Sequence, residues 1–195
     1  MRIVRAARHK VMPWKNGGGE TTEIVVSPPG AGLDDFDWRV SMARVADHGP
    51  FSVFPGIDRT LAVLDGEGII LDVEGQAPLG LTRPYAPVTF AADAPTIGRL
   101  ISGPIIDLNV MSRRGRFTHS VEPLLVDERL ELEIAEFDTL VVCVSGGFGI
   151  EADGFADRLG KNDVLFWEAK PGTLTLSPGD KPAVAMIVEV AARSE

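Results

Sequence analysis

The chain has 195 residues, with 19 Lys+Arg against 28 Asp+Glu and a formal net charge of −9. That length holds one large domain or two small ones, and 45% hydrophobic with 24% charged residues are globular proportions that exclude a disordered chain. The acidity disfavours nucleic acids and anionic membranes, whose affinity for proteins rests on Lys and Arg; a local basic patch can still hold a small anion.

Met1–Arg8 carries charges but no apolar stretch of signal-peptide length, and nowhere do about 20 apolar residues follow one another, so the expected location is the cytoplasm. Next comes Pro13-Trp14-Lys15-Asn16-Gly17-Gly18-Gly19-Glu20-Thr21-Thr22-Glu23-Ile24. Three successive glycines suit a tight turn, or a backbone that leaves room for something else. A phosphate-binding P-loop is excluded, because its Lys follows the glycines at a helix start and Lys15 precedes them. Two readings stay open: a flexible loop, or Lys15 and Asn16 presenting a cation and an amide to an anion.

Asp37–Val45 alternates Trp38, Val40 and Met42 with Arg39, Ser41 and Ala43, a strand pattern. Gly49-Pro50-Phe51-Ser52-Val53-Phe54-Pro55-Gly56-Ile57-Asp58-Arg59 is a turn entering an apolar strand. Asp58 and Arg59 read as a surface pair, or Arg59 reads as a clamp for a carboxylate through two parallel hydrogen bonds. In Ile105–Arg113, alternation places Ile106, Leu108 and Val110 on one face and Asp107, Asn109, Met111 and Arg113 on the other. Such a polar face is either solvated or matched by partners, because unpaired polar burial is costly.

Further on, Arg129–Glu136 and Thr173–Leu176 each show one wet face, whereas Thr139–Val144 and Ala183–Val190 are continuously apolar, as in strands buried on both faces. Cys143 lies in one of these runs and reads as a core residue without a disulfide partner. Frequent Gly and Pro between short strands indicate an all-β sandwich or barrel. Thr60–Ile69 and Thr139–Ile150 echo each other, each an apolar strand, a Gly turn and a second strand, with the Thr-Leu pairs 79 residues apart. The echo reads as two hairpins in two related β-domains. The lengths fit jelly-roll barrels of the cupin type, and Gly160–Phe166 resembles the Gly-Asp turn that opens a late cupin strand.

Only His9, His48 and His119 are present, with no His-x-His pair and no Cys cluster, so neither metal nor other cofactor is expected. No nucleophile–base motif stands out.

Taken together, Pro-Trp-Lys-Asn-Gly-Gly-Gly with Thr22-Glu23-Ile24, Trp38–Ala43, Gly49–Leu61, and Asp107–Met111 with Arg113 resemble the HutD/Ves family of bicupins. The resemblance covers residues 12 to 116. It implies two fused cupin barrels, here 1–112 and 113–195, without the usual metal ligands. It also implies a regulatory role in histidine utilisation through binding a small acidic intermediate such as formylglutamate or formiminoglutamate. Under it, the expected ligand-binding residues are Lys15, Asn16, Glu23, Arg59, Asn109 and Arg113. The competing reading is a metal-independent isomerase or hydrolase acting on a similar metabolite, with Glu23 or His48 transferring the proton. A protein-interaction module using an exposed sheet face is a third. The expected partner is a small metabolite rather than nucleic acid or membrane, and a homodimer is compatible with the sequence.

Overall fold

The computed structural model describes residues 1–14, 19–82 and 86–193. It is all-β, with a single 3-10 turn at Ala6–Arg8 and no α-helix among the described residues. By contacts the chain divides into two compact units. Lys10–Thr118 and Arg193 form the N-terminal unit; His119–Ala192 and Met1–His9 form the C-terminal unit.

The N-terminal unit contains β2 (Lys10–Pro13), β3 (Gly19–Ser27), β4 (Trp38–Val45), β5 (Gly49–Pro50), β6 (Ile57–Asp65), β7 (Ile69–Val73), β8 (Leu79–Leu81), β9 (Val88–Ala91), β10 (Thr96–Leu100) and β11 (Ile105–Arg113). They form a six-stranded sheet, β2-β3-β4-β11-β6-β9, and a four-stranded sheet, β5-β10-β7-β8. The core is filled from both, by Ala43, Val45, Leu61, Val63 and Phe90 from the first and Ile69, Leu71 and Val73 from the second. β4, β6 and β11 are buried on both faces, which their apolar and β-branched residues permit.

The other unit contains β12 (Phe117–Val126) from His119 onward, β13 (Leu130–Ile134), β14 (Asp138–Ser145), β15 (Gly147–Ala152), β16 (Phe155–Gly160), β17 (Val164–Trp167), β18 (Gly172–Pro178) and β19 (Ala183–Ala192), with β1 (Arg2–Val4) joining them. Its sheets run β12-β19-β14-β17-β1 and β13-β18-β15-β16. Eight consecutive strands, β4 to β11, thus occupy the same places as the next eight, β12 to β19. The two segments with one wet face pair with each other, Glu131 opposite Thr175 and Leu132 opposite Leu174.

The echoed segments are equivalent, but they are not hairpins. β6 and β7 belong to different sheets, as do β14 and β15. Each turn carries the chain across the core. Gly66 (φ +95°) and Gly146 (φ +72°) make these corners, and a Cβ would lie 2.6 Å from the Pro104 carbonyl in one and 3.0 Å from the Pro182 carbonyl in the other. Left-handed backbone and close approach together call for glycine at both.

The compact units differ from the expected halves 1–112 and 113–195 at the join and at the N-terminus. β1 adds to the edge of β17, with Ile3 opposite Leu165, and Ile3 packs on the C-terminal core. Arg5 then bonds Asp157 and Asp163 at 2.5 and 3.0 Å, while Asp163 accepts the Ala6 N–H.

Candidate functional site

The side chains of β4, β6 and β11 that face the core of the N-terminal unit are not all apolar. Cross-strand register places Val26, Arg39, Met111, Arg59 and Phe90 in one row, and Glu23, Ser41, Asn109, Leu61 and Val88 in the next. A third row holds Thr21, Ala43, Asp107 and Val63. Arg39, Ser41, Arg59, Asp107 and Asn109 are all buried, with Asp107 at 0% exposure. Burying so many polar groups costs free energy unless partners meet them.

Part of that demand is met internally. Arg39 donates from Nε to Glu23 Oε2 at 3.0 Å and from Nη1 to Ser41 Oγ at 3.4 Å. Asn109 donates its Nδ2 hydrogen to Asp107 Oδ1 at 2.5 Å. Arg59 is held differently. Its guanidinium carbon lies 5.6, 5.2 and 5.9 Å from the ring centres of Phe51, Phe54 and Phe90, a cation–π cage. Nη2 donates to the Ser52 carbonyl and to Met111 Sδ, both at 3.4 Å. Arg59 Nε and Asp107 Oδ2 have no partner among the described residues.

Electrostatics follow from burial. Desolvation lowers Arg59 to about 10, opposed by Asp107 and assisted by Arg39. Desolvation pushes Asp107 up to about 7, against the pull of Arg59, the Ala43 backbone N–H and the Asn109 amide. The face therefore offers two buried guanidinium groups, one of them paired with Glu23, and a carboxyl pushed up to about 7. The corresponding ladder in the C-terminal unit pairs Cys143 with Ala185 and Val141 with Ile187, and all four pack in an apolar core. Burial raises the Cys143 thiol to about 11, so it stays protonated there.

The HutD family model matches residues 6–185. The chain belongs to the HutD family. It is 38% identical over 117 residues to a 21.2 kDa protein of the hutC 3′ region in Pseudomonas putida, covering 60% of each chain. It is 41% identical over 104 residues to protein Ves of Citrobacter koseri, covering 53% of each. The matched segment thus spans between half and two thirds of these relatives. Among solved structures, a conserved protein of unknown function from Pseudomonas aeruginosa superposes with TM-score 0.87 at 34% identity, over 97% of both chains. HutD from Pseudomonas fluorescens gives 0.82 at 30% identity, over 99% of both. A cupin 2 conserved barrel domain protein from Leptotrichia buccalis, at 12% identity, TM-score 0.57 and coverage of 97% and 96%, shows the likeness of fold to cupins.

Of the expected site residues in this HutD-family chain, Glu23, Arg59 and Asn109 come together on the interior face. Lys15 and Asn16 lie outside the described residues; flanking them, Trp14 donates from Nε1 to Thr21 Oγ1 at 2.8 Å. The Arg113 guanidinium holds the chain before β4, donating from Nε and Nη2 to the Phe36 carbonyl at 3.2 and 2.8 Å, and from Nη2 to that of Asp34 at 3.4 Å. His48 accepts the Leu100 N–H on Nδ1 at 2.9 Å. Asp58 pairs with Arg114 at 2.7 Å and not with Arg59, because alternation turns neighbours on β6 to opposite faces. Arg39, Ser41, Asp107 and the Phe cage are further members of the site. The alternation in Asp37–Val45 and Ile105–Arg113 put Arg39, Ser41 and Asp107 on shared faces, but pattern alone does not say that both faces are buried.

Proposed function

We propose that the N-terminal unit binds a small carboxylate metabolite of histidine breakdown, such as formylglutamate or formiminoglutamate, and that the protein serves as a sensor or regulator of that pathway. In this reading the two units are jelly-roll barrels of the cupin type, joined as a bicupin and working in the cytoplasm. The observation that carries it is Arg59. Arg59, 4% exposed and with its guanidinium caged by three phenyl rings, keeps Nε without a partner among the described residues, which suits a carboxylate acceptor. Each charge-assisted hydrogen bond in such a site is worth roughly 1.5–3 kcal/mol. The hutC-region relative supports the pathway assignment.

The testing experiment is a calorimetric titration of the purified protein with formylglutamate, formiminoglutamate and glutarate. Saturable binding that is lost in Arg59→Ala supports the proposal; no heat with any of the three rejects it. The enzyme reading retains one favourable observation, the Asp107 carboxyl raised to about 7, suited to proton transfer near neutral pH. Glu23 is held by Arg39 and His48 by Leu100. Proton NMR of each metabolite incubated with the protein separates the two readings, since only an enzyme consumes it.

A further inference from the structure

Among the described residues, three buried side chains of the N-terminal unit can carry charge: Arg39, Arg59 and Asp107. Glu23 neutralises Arg39 at 3.0 Å, so Arg59 is left to balance an ionised Asp107. The two share no hydrogen bond. Arg59 donates to the Ser52 carbonyl and to Met111 Sδ, and Asp107 Oδ1 accepts from the Asn109 amide. Arg59 Nε and Asp107 Oδ2 have no partner among the described residues. Their attraction therefore acts through space. Desolvation pushes the Asp107 carboxyl up, and the strongest pull against it is the charge of Arg59. Two further charged groups share the face: Lys10 lies in β2, opposite Glu23, and Arg113, at the far end of β11, is bound to the Phe36 and Asp34 carbonyls. The sheet packed opposite turns Ile69, Leu71 and Val73 of β7 and Leu81 of β8 to this core, and these bring no charge.

A carboxylate bound at Arg59 takes the positive charge that balances Asp107. Two anions would then share one guanidinium in an interior closed to water, and uncompensated buried charge is costly. A proton on Asp107 removes the excess. We propose that this site binds its carboxylate together with one proton, which Asp107 takes up, so that affinity for the anion falls as pH rises. This rests on the carboxylate-binding reading above and adds the regulation of that site. The sign follows from linkage: an anion that prefers the protonated site draws protons in wherever the free site is ionised. With the free carboxyl at about 7, affinity is level below about pH 6 and falls by about tenfold per pH unit above about pH 7.

The test is calorimetric titration of the full-length protein with N-formyl-L-glutamate at pH 5.5 and pH 8, each in two buffers of different ionisation enthalpy. The buffer dependence of the heat counts the protons exchanged. Uptake should be below about 0.2 proton per ligand at pH 5.5 and about 0.5–1 at pH 8, with affinity about tenfold lower at pH 8. In Asp107→Asn, uptake at pH 8 should vanish and the two affinities should agree within about threefold. Saturable binding without proton uptake at pH 8, or uptake that persists in Asp107→Asn, overturns the proposal and leaves the carboxylate reading standing. Failure to bind at either pH overturns both. Should Asp107→Asn not fold, infrared difference spectra of the wild type at pH 8 with 13C-labelled ligand decide. Binding should bring up the C=O band of a protonated protein carboxyl, which no histidine gives, and its absence overturns the proposal.

Discussion

Arg59 lies opposite Met111 in the β6–β11 ladder and donates to its thioether sulfur at 3.4 Å. A thioether is a weak acceptor, so the guanidinium is held mainly by three phenyl faces. Arg59→Ala should weaken carboxylate binding about 10- to 100-fold, from one or two lost charge-assisted hydrogen bonds. Arg59→Lys should rescue little, because an ammonium lacks the planar fork that stacks and chelates. The control Arg158→Ala, in the C-terminal unit, should leave affinity within about threefold. Titration calorimetry on the three variants checks this, and equal losses at positions 59 and 158 would misplace the site.

Asp107 makes stability depend on pH. Burial raises its carboxyl from the ordinary 3.8 to about 7, so folding favours the protonated form. That contribution is complete below about pH 4 and disappears as pH rises through about 7. The charged groups sharing its face are Arg59 from β6, Arg39 from β4, Glu23 from β3, Lys10 from β2 and, at the far end of its own strand, Arg113. Asp107→Asn should therefore gain stability relative to wild type between pH 5 and pH 8, by at most about 3 kcal/mol. Urea midpoints of both proteins across that range give the difference directly. A constant difference would show that Asp107 titrates as an ordinary surface acid.

Arg113 tests the separation of binding from architecture. Its guanidinium donates to the Phe36 and Asp34 carbonyls, beside the small cluster of Phe36, Ile57, Ala92 and Met111. Arg113→Ala should lower stability by about 1–3 kcal/mol through unpaired carbonyls, and should change carboxylate affinity less than threefold. Thermal melts with and without saturating ligand distinguish the two effects.

The N-terminal strand makes an opposite kind of prediction. β1 covers the edge of β17 in the C-terminal unit, and an uncovered strand edge both frays and aggregates. Removing residues 1–9 should speed hydrogen exchange of the β17 amides at least tenfold while leaving those of β6 and β11 near their original rates. Unchanged β17 exchange would mean that β1 contributes no protection.

Much of the architecture was already legible in the chain. Period-two alternation identified β4, β11, β13 and β18, because a strand turns successive side chains to opposite faces, which differ in polarity in all four. The echo, with its turn glycines 80 residues apart, located two equivalent corners, since only glycine tolerates the left-handed turn against the Pro104 and Pro182 carbonyls. Motif chemistry singled out Arg59 and Asn109. Three things were decided by the tertiary structure alone. Whether the echoed strands pair with each other or separate into two sheets depends on partners distant in sequence, which local pattern cannot specify. So does the placement of β1, an ordinary short strand until it meets the open edge of β17. The polar face of β11 was equally compatible with solvent and with a ligand. Burial excluded solvent: with β4 on one side and β6 on the other, Asp107 loses all contact with water, and burial pushes its carboxyl up to about 7.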